Sequence, residues 1–158
     1  MPKIDLGAVP VHTGSGYPAP YADAMEGRSS LRVGDAGGLT QFGANIVILA
    51  PGARSSLRHW HENQDEFVIV LQGACTLIED DGPTILQAGD CASFKAGVAN
   101  GHCIANYTDK EARFLVIGTR TPSETAWYSD IDMMVRVENG QFDFTHKDGT
   151  PFREKQDD

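Results

Sequence analysis

Between residues 42 and 119 the apolar side chains come in bursts of strand length, each closed by a turn signal, and no convincing long amphipathic helix interrupts them. Pro51-Gly52, Asp80-Asp81-Gly82, Ala88-Gly89-Asp90 and the segment 97–101 all supply residues suited to sharp turns. That texture points to an all-β barrel or sandwich. Strands are predicted over residues 42–49, 57–61, 66–72, 75–79, 84–87, 91–94, 102–106 and 113–119. The apolar run at residues 67–71 reads as a strand buried on both faces. A further hairpin is expected where 135–137 and 141–144 flank Asn139-Gly140, a strong two-residue turn signal.

Outside this block the patterning is weaker. Residues 1–41 read as an N-terminal arm with one helical turn over 21–25. Residues 42–120 form the core, and 121–158 read as an extension that loosens after Arg120, packs on the core and ends in a polar tail over 147–158. A chain of 158 residues fits one domain in all.

Charge and cysteine content narrow the function. Lys and Arg number 13 against 22 Asp and Glu, a formal net charge of −9 that disfavours nucleic acid and anionic membrane surfaces and leaves a small molecule or a protein as partner. Cys75, Cys91 and Cys103 are odd in number and share no metal-binding spacing, which argues for a reducing compartment. The start of the chain lacks a secretory pattern and no apolar run is long enough to span a bilayer, so a cytoplasmic location is expected.

The chemistry concentrates in one short stretch. Successive side chains of a strand point to opposite faces, so His59 and His61 present both imidazoles on one side, with Arg58 and Trp60 on the other. After the polar turn at residues 62–65, Glu66 opens the next strand, where its carboxylate can face the histidines across a hairpin. Glu62 and Asp65 are alternative donors should the turn be shifted. Imidazoles with a carboxylate suit one divalent ion such as Zn, Fe, Mn or Ni. His12 and His146 read as ordinary exposed residues.

The stretch from Gly52 through His59-Trp60-His61 to Glu66 and Gly73 resembles the first motif of the cupin superfamily, with four residues between His61 and Glu66 and six between Glu66 and Gly73. The stretch from Gly89 to Asn106 resembles the second motif: Lys95-Ala96-Gly97 stands where the family has Pro-x-Gly, and His102 keeps the three-residue gap to Asn106. The family spacing would put the second-motif histidine at Asn100; His102 is taken because it begins the strand that ends at Asn106. Arg58-His59-Trp60-His61, Asp65-Glu66-Phe67 and Asp148-Gly149-Thr150-Pro151 are similar to single-domain bacterial cupins of the sugar-phosphate-isomerase-like kind.

This resemblance implies a double-stranded β-helix, or jelly-roll barrel, with His59, His61, Glu66 and His102 around one metal ion at its centre, and a homodimer. Such a ligand set leaves positions open for water or substrate, the mark of a catalytic site. The expected activity is a metal-dependent reaction on a small polar metabolite, isomerisation in the first instance; dioxygenase-type oxidation and a non-enzymatic ligand-binding barrel are the alternatives. For an anionic substrate the cations near strand ends are Lys95, Arg54 and Arg120. No general base is assignable from the residues.

Overall fold

Alternate burial of β-branched, aliphatic and aromatic side chains, broken by glycine at the turns, makes most of this chain's regular structure antiparallel sheet. The computed structural model describes residues 3–152, so the end of the polar tail, 153–158, lies outside the described residues. In chain order the elements are β1 (Val11–Thr13), β2 (Arg28–Leu31), the single-turn helix α1 (Val33–Ala36), β3 (Phe42–Leu49), β4 (His59–His61), β5 (Glu66–Gln72) and β6 (Ala74–Glu79). They continue as β7 (Gly82–Gln87), β8 (Cys91–Phe94), β9 (Cys103–Ala105), β10 (Ala112–Thr119), β11 (Ser123–Tyr128), β12 (Met134–Glu138) and β13 (Gln141–Thr145).

Three sheets result, with strand orders β1-β2-β3-β10-β5-β8, β13-β12-β11-β4 and β7-β6-β9. They form a jelly-roll barrel as expected, although hydrogen bonds do not close it into a continuous cylinder. The six- and three-stranded sheets share one apolar core of Val47, Leu49, Val68, Val70, Leu77 and Phe114 with smaller neighbours. A second cluster, built on Tyr128, Met133 and Val135, gathers Tyr17, Tyr21 and Phe144 beneath the four-stranded sheet.

Three readings of the sequence need correction. The N-terminal segment has the expected helical turn, at Ala22–Met25, but it also supplies β1 and β2, which extend the large sheet through the β2–β3 ladder. The segment after Arg120 does not loosen: it forms β11, which pairs with β12 on one side and β4 on the other. β2 and β11 are rich in Ser, Thr and charged residues, so pairing with the strands on either side, not an apolar pattern, creates them. Third, β5 is not buried on both faces. Val68 and Val70 face the core, whereas Phe67 and Leu71 are 40 % and 48 % exposed.

Two residues of the resemblance serve the fold. Gly73 joins β5 to β6 at φ +75°, and a Cβ there would sit 2.8 Å from the Glu111 carbonyl oxygen, so only glycine fits. Asn106, wholly buried, spends its side chain on four hydrogen bonds: Nδ2 donates to the carbonyls of Leu49 and Lys110, and Oδ1 accepts from the Thr108 amide and hydroxyl. Asn106→Ala takes the amide donor from the Leu49 carbonyl, while Lys110 O keeps the Thr108 hydroxyl, and should cost about 2 kcal/mol, read as a lower denaturant midpoint at unchanged slope. Equal stability of the two proteins would show that water replaces the amide.

Candidate metal centre

Strand β4 is only three residues long, and its orientation is set from outside. It pairs with β11 in the register His61↔Ala126, Trp60↔Trp127 and His59↔Tyr128. Trp60 stacks on Trp127 with ring centroids 6.3 Å apart, and Arg58 is held by Asp80 at 2.7 Å and Asp130 at 3.1 Å. With those side chains occupied, alternation turns both histidines to the other face.

Glu66 reaches them differently from the hairpin expected. β4 lies in the four-stranded sheet, whereas β5 pairs with β10 and β8 in the six-stranded one, so Glu66 faces the histidines from a different sheet. The turn between them is too polar and irregular to carry a ladder, and Asp65 Oδ1 instead accepts from the Ala96 amide at 2.8 Å.

His102 is brought in by the backbone. The His59 amide donates to the His102 carbonyl at 3.2 Å and the His102 amide returns the bond to His59 at 3.0 Å, an antiparallel bridge that sets the two residues side by side. The preceding Gly101 makes this approach possible, because a Cβ there would lie 2.9 Å from Ser129 Cβ and closer still to its hydroxyl.

One donor from each of His59, His61 and Glu66 lies within 4.8 Å of the others. The two imidazole Nε2 atoms are 3.1 Å apart, and His61 Nε2 is 3.7 Å from Glu66 Oε2. His102 stands against this trio, its Nε2 3.3 Å from Glu66 Oε1 and its ring stacked on Phe94 at 3.5 Å between centroids. The structure thus gathers all four residues named from the sequence, three as a compact donor set and His102, 3 % exposed, against its carboxylate.

The donor chemistry fits a divalent ion. Leu57 O, an acceptor only, lies 2.9 Å from His59 Nδ1, so that nitrogen carries the proton and the lone pair is on the inward Nε2. Burial, followed by the neighbouring His61 and His102, pushes the His59 pKa down to about 4, which keeps its imidazole neutral. Burial alone would raise the Glu66 carboxyl, but the His102 hydrogen bond and the surrounding imidazoles outweigh it and hold the carboxyl below its ordinary range. Among the described residues neither Glu66 nor the nearby Glu124 is paired with a Lys or Arg.

Glu124 escaped the sequence reading. It sits on β11, 4 % exposed, with Oε1 3.6 Å from His61 Nδ1. The signal was present in the alternation Glu124, Ala126, Tyr128, all buried, between the less buried Ser123, Thr125 and Trp127. Of the alternative donors, Glu62 is engaged with the Trp127 indole at 2.7 Å, and Asp65 is bound as described above. A cavity of about 210 Å³ opens on His61 and His102 and is lined also by Lys95, Gln64, Glu79 and Asn100. Of the three cations considered, Lys95 is therefore the one at the cavity; Arg120 bonds Leu39 O and Asp35, and Arg54 is not among the lining residues. A larger hollow of about 490 Å³ lies among residues 13–29, away from these groups.

A family model described as a cupin domain matches residues 45–118. A solved structure from Silicibacter pomeroyi, named as a sugar phosphate isomerase from a cupin superfamily, is 57% identical over 98% of this chain and 99% of that one, with a TM-score of 0.94. A protein from Acidithiobacillus ferrooxidans matches at 24% identity over 88% of this chain and 96% of its own, with a TM-score of 0.72. The polyketide cyclase RemF of Streptomyces resistomycificus matches at 17% over 75% and 79%, with a TM-score of 0.59. These last two share the fold. No curated protein sequence matches.

The displaced pKa of His59 has a thermodynamic consequence for the metal-free protein. Between pH 6.5, where the unfolded imidazole gains its proton, and about 4, where the folded one does, the unfolded state binds more protons. Stability should therefore fall on acidification through that window, by at most about 1.4 kcal/mol per pH unit from this group. Chemical denaturation of metal-free wild type and His59→Gln across the window measures it. An identical pH slope in the two proteins would assign the loss to other groups.

Proposed function

The chain belongs to the cupin superfamily, and on that premise we propose that His59, His61, Glu66 and His102 hold one divalent metal ion and that the protein is a metal-dependent enzyme acting on a small polar metabolite. The observation that carries the proposal is the pair of inward Nε2 atoms 3.1 Å apart with the Glu66 carboxylate beside them. Sugar phosphates are the substrate class to try first, from the name borne by the 57% identical relative, with isomerisation as the reaction. A divalent ion bound there supplies a Lewis acid for a substrate hydroxyl or carbonyl oxygen.

The residues around the cavity suit that chemistry. The Lys95 ammonium offers a charge for a phosphate or carboxylate, and the Gln64 and Asn100 amides offer partners for hydroxyl groups. Glu79 is the cavity carboxylate outside the donor set, and its Oε1 accepts from Asn100 Nδ2 at 3.2 Å. That makes Glu79 the group to receive and return the proton that an isomerisation moves. The cavity of about 210 Å³ favours a small substrate over a polymer.

Elemental analysis of protein purified without added metal should find about one divalent ion per chain. His61→Ala should lose more affinity than the roughly 10–100-fold that removal of an outer-shell partner costs; unchanged occupancy would take His61 out of the site. A sugar-phosphate panel followed by NMR tests the reaction. Tight metal with neither turnover nor binding across the panel would make the protein a metal-bearing barrel without this activity.

A further inference from the structure

The geometry points to Glu124 as a positioning residue for the metal centre, orienting His61 through its Nδ1 so that Nε2 faces the ion; this rests on the metal-binding reading above. Among the described residues His61 Nδ1 is buried without a hydrogen-bond partner, and Glu124 Oε1 lies 3.6 Å away. A movement of about half an ångström of the imidazole brings the pair within hydrogen-bond reach. The carboxylate itself is clamped: Oε1 accepts from the Glu62 amide at 2.8 Å and Oε2 from the Asn63 amide at 2.9 Å.

The Asn63 amide accounts for Oε2 but not for Oε1. The Glu62 amide already donates to the Thr125 carbonyl at 3.0 Å, as part of the register between β4 and β11, so Oε1 is not needed to satisfy it. What Oε1 adds is an acceptor and a negative charge against the outer nitrogen of a proposed ligand. That arrangement selects the tautomer with its proton on Nδ1 and leaves the Nε2 lone pair facing the site. His59 is served in the same way by a neutral acceptor, Leu57 O. The two inner histidines are thus oriented by different partners, one a dipole and one a full charge. The charge has a further effect, because two carboxylates, Glu66 and Glu124, then face the site without a Lys or Arg partner among the described residues, a balance that a doubly charged cation completes.

Cobalt(II) titration of the metal-free protein, followed by the visible absorption of the bound ion, tests the assignment with Glu124→Gln and Glu124→Ala. Gln keeps an acceptor oxygen and loses the charge; Ala loses both. Circular dichroism and the unfolding midpoint of each metal-free variant establish which of them is folded at the titration temperature. Glu124→Ala should bind cobalt about 10–100-fold more weakly than wild type, with Glu124→Gln between the two, and the absorption bands of the bound ion should move in both. If Ala does not fold, Gln decides. A folded Gln variant with wild-type affinity and wild-type bands would overturn the inference and leave Glu124 as a clamp on the turn after β4. Failure of the wild type itself to bind cobalt would instead defeat the metal-binding reading, and the inference with it.

Discussion

The centre of this protein depends on two backbone hydrogen bonds, those exchanged between His59 and His102. They join the first half of the barrel to the second at the point where side chains must converge, and neither involves a group that takes part in the chemistry. Residues directly opposite in an antiparallel pair point to the same face, so once the bridge forms both imidazoles are delivered to one side. The cost falls on the neighbouring position. Gly101 has no room for a side chain against Ser129, and the chain reaches it through a glycine-bounded loop from Gly97.

Around that bridge the polar groups are arranged in shells. The apolar core beneath, ending in Phe94 against His102, removes water from one side of the imidazoles. Leu57 O accepts from the outer nitrogen of His59, Glu124 Oε1 stands 3.6 Å from that of His61, and Glu66 enters from the large sheet. Low polarity strengthens each of these contacts and also makes the group neutral or anionic according to its neighbours, which is why His59 is held neutral and Glu66 ionised within a few ångströms of each other. Lys95 and Glu79 stand at the cavity, where both can meet a solute.

Local signals sufficed for much of this. Period-two alternation and turn residues located β3 and the strands from β5 to β10 closely, and the Asn139-Gly140 hairpin appeared where a positive-φ turn was expected, at φ 49° and 81°. The spacing of His59 and His61 put both imidazoles on one face because a strand's alternation is a covalent property, whereas Glu66 was expected beside them through a hairpin that does not form. Strands β1, β2 and β11 were not legible, since their residues are locally ambiguous and become strands only by pairing, β1 with β2, β2 with β3, and β11 with β12 and the distant β4. Glu124 was lost with β11, and the exposed Phe67 and Leu71 were misread because an unbroken apolar run carries no record of which face meets the core.

What the amino-acid order determined by itself was therefore the strand content, the turns, the pairing of two imidazoles on one face and the presence of a carboxylate within reach. Only the tertiary structure decided that Glu66 faces them from a different sheet, that Asn100 bonds Glu79, and that a buried acid waits behind His61. The division has one physical cause: side-chain direction along a strand follows from local stereochemistry, whereas the choice of neighbour across a barrel is made by long-range hydrogen bonding and core packing that no short window of sequence contains.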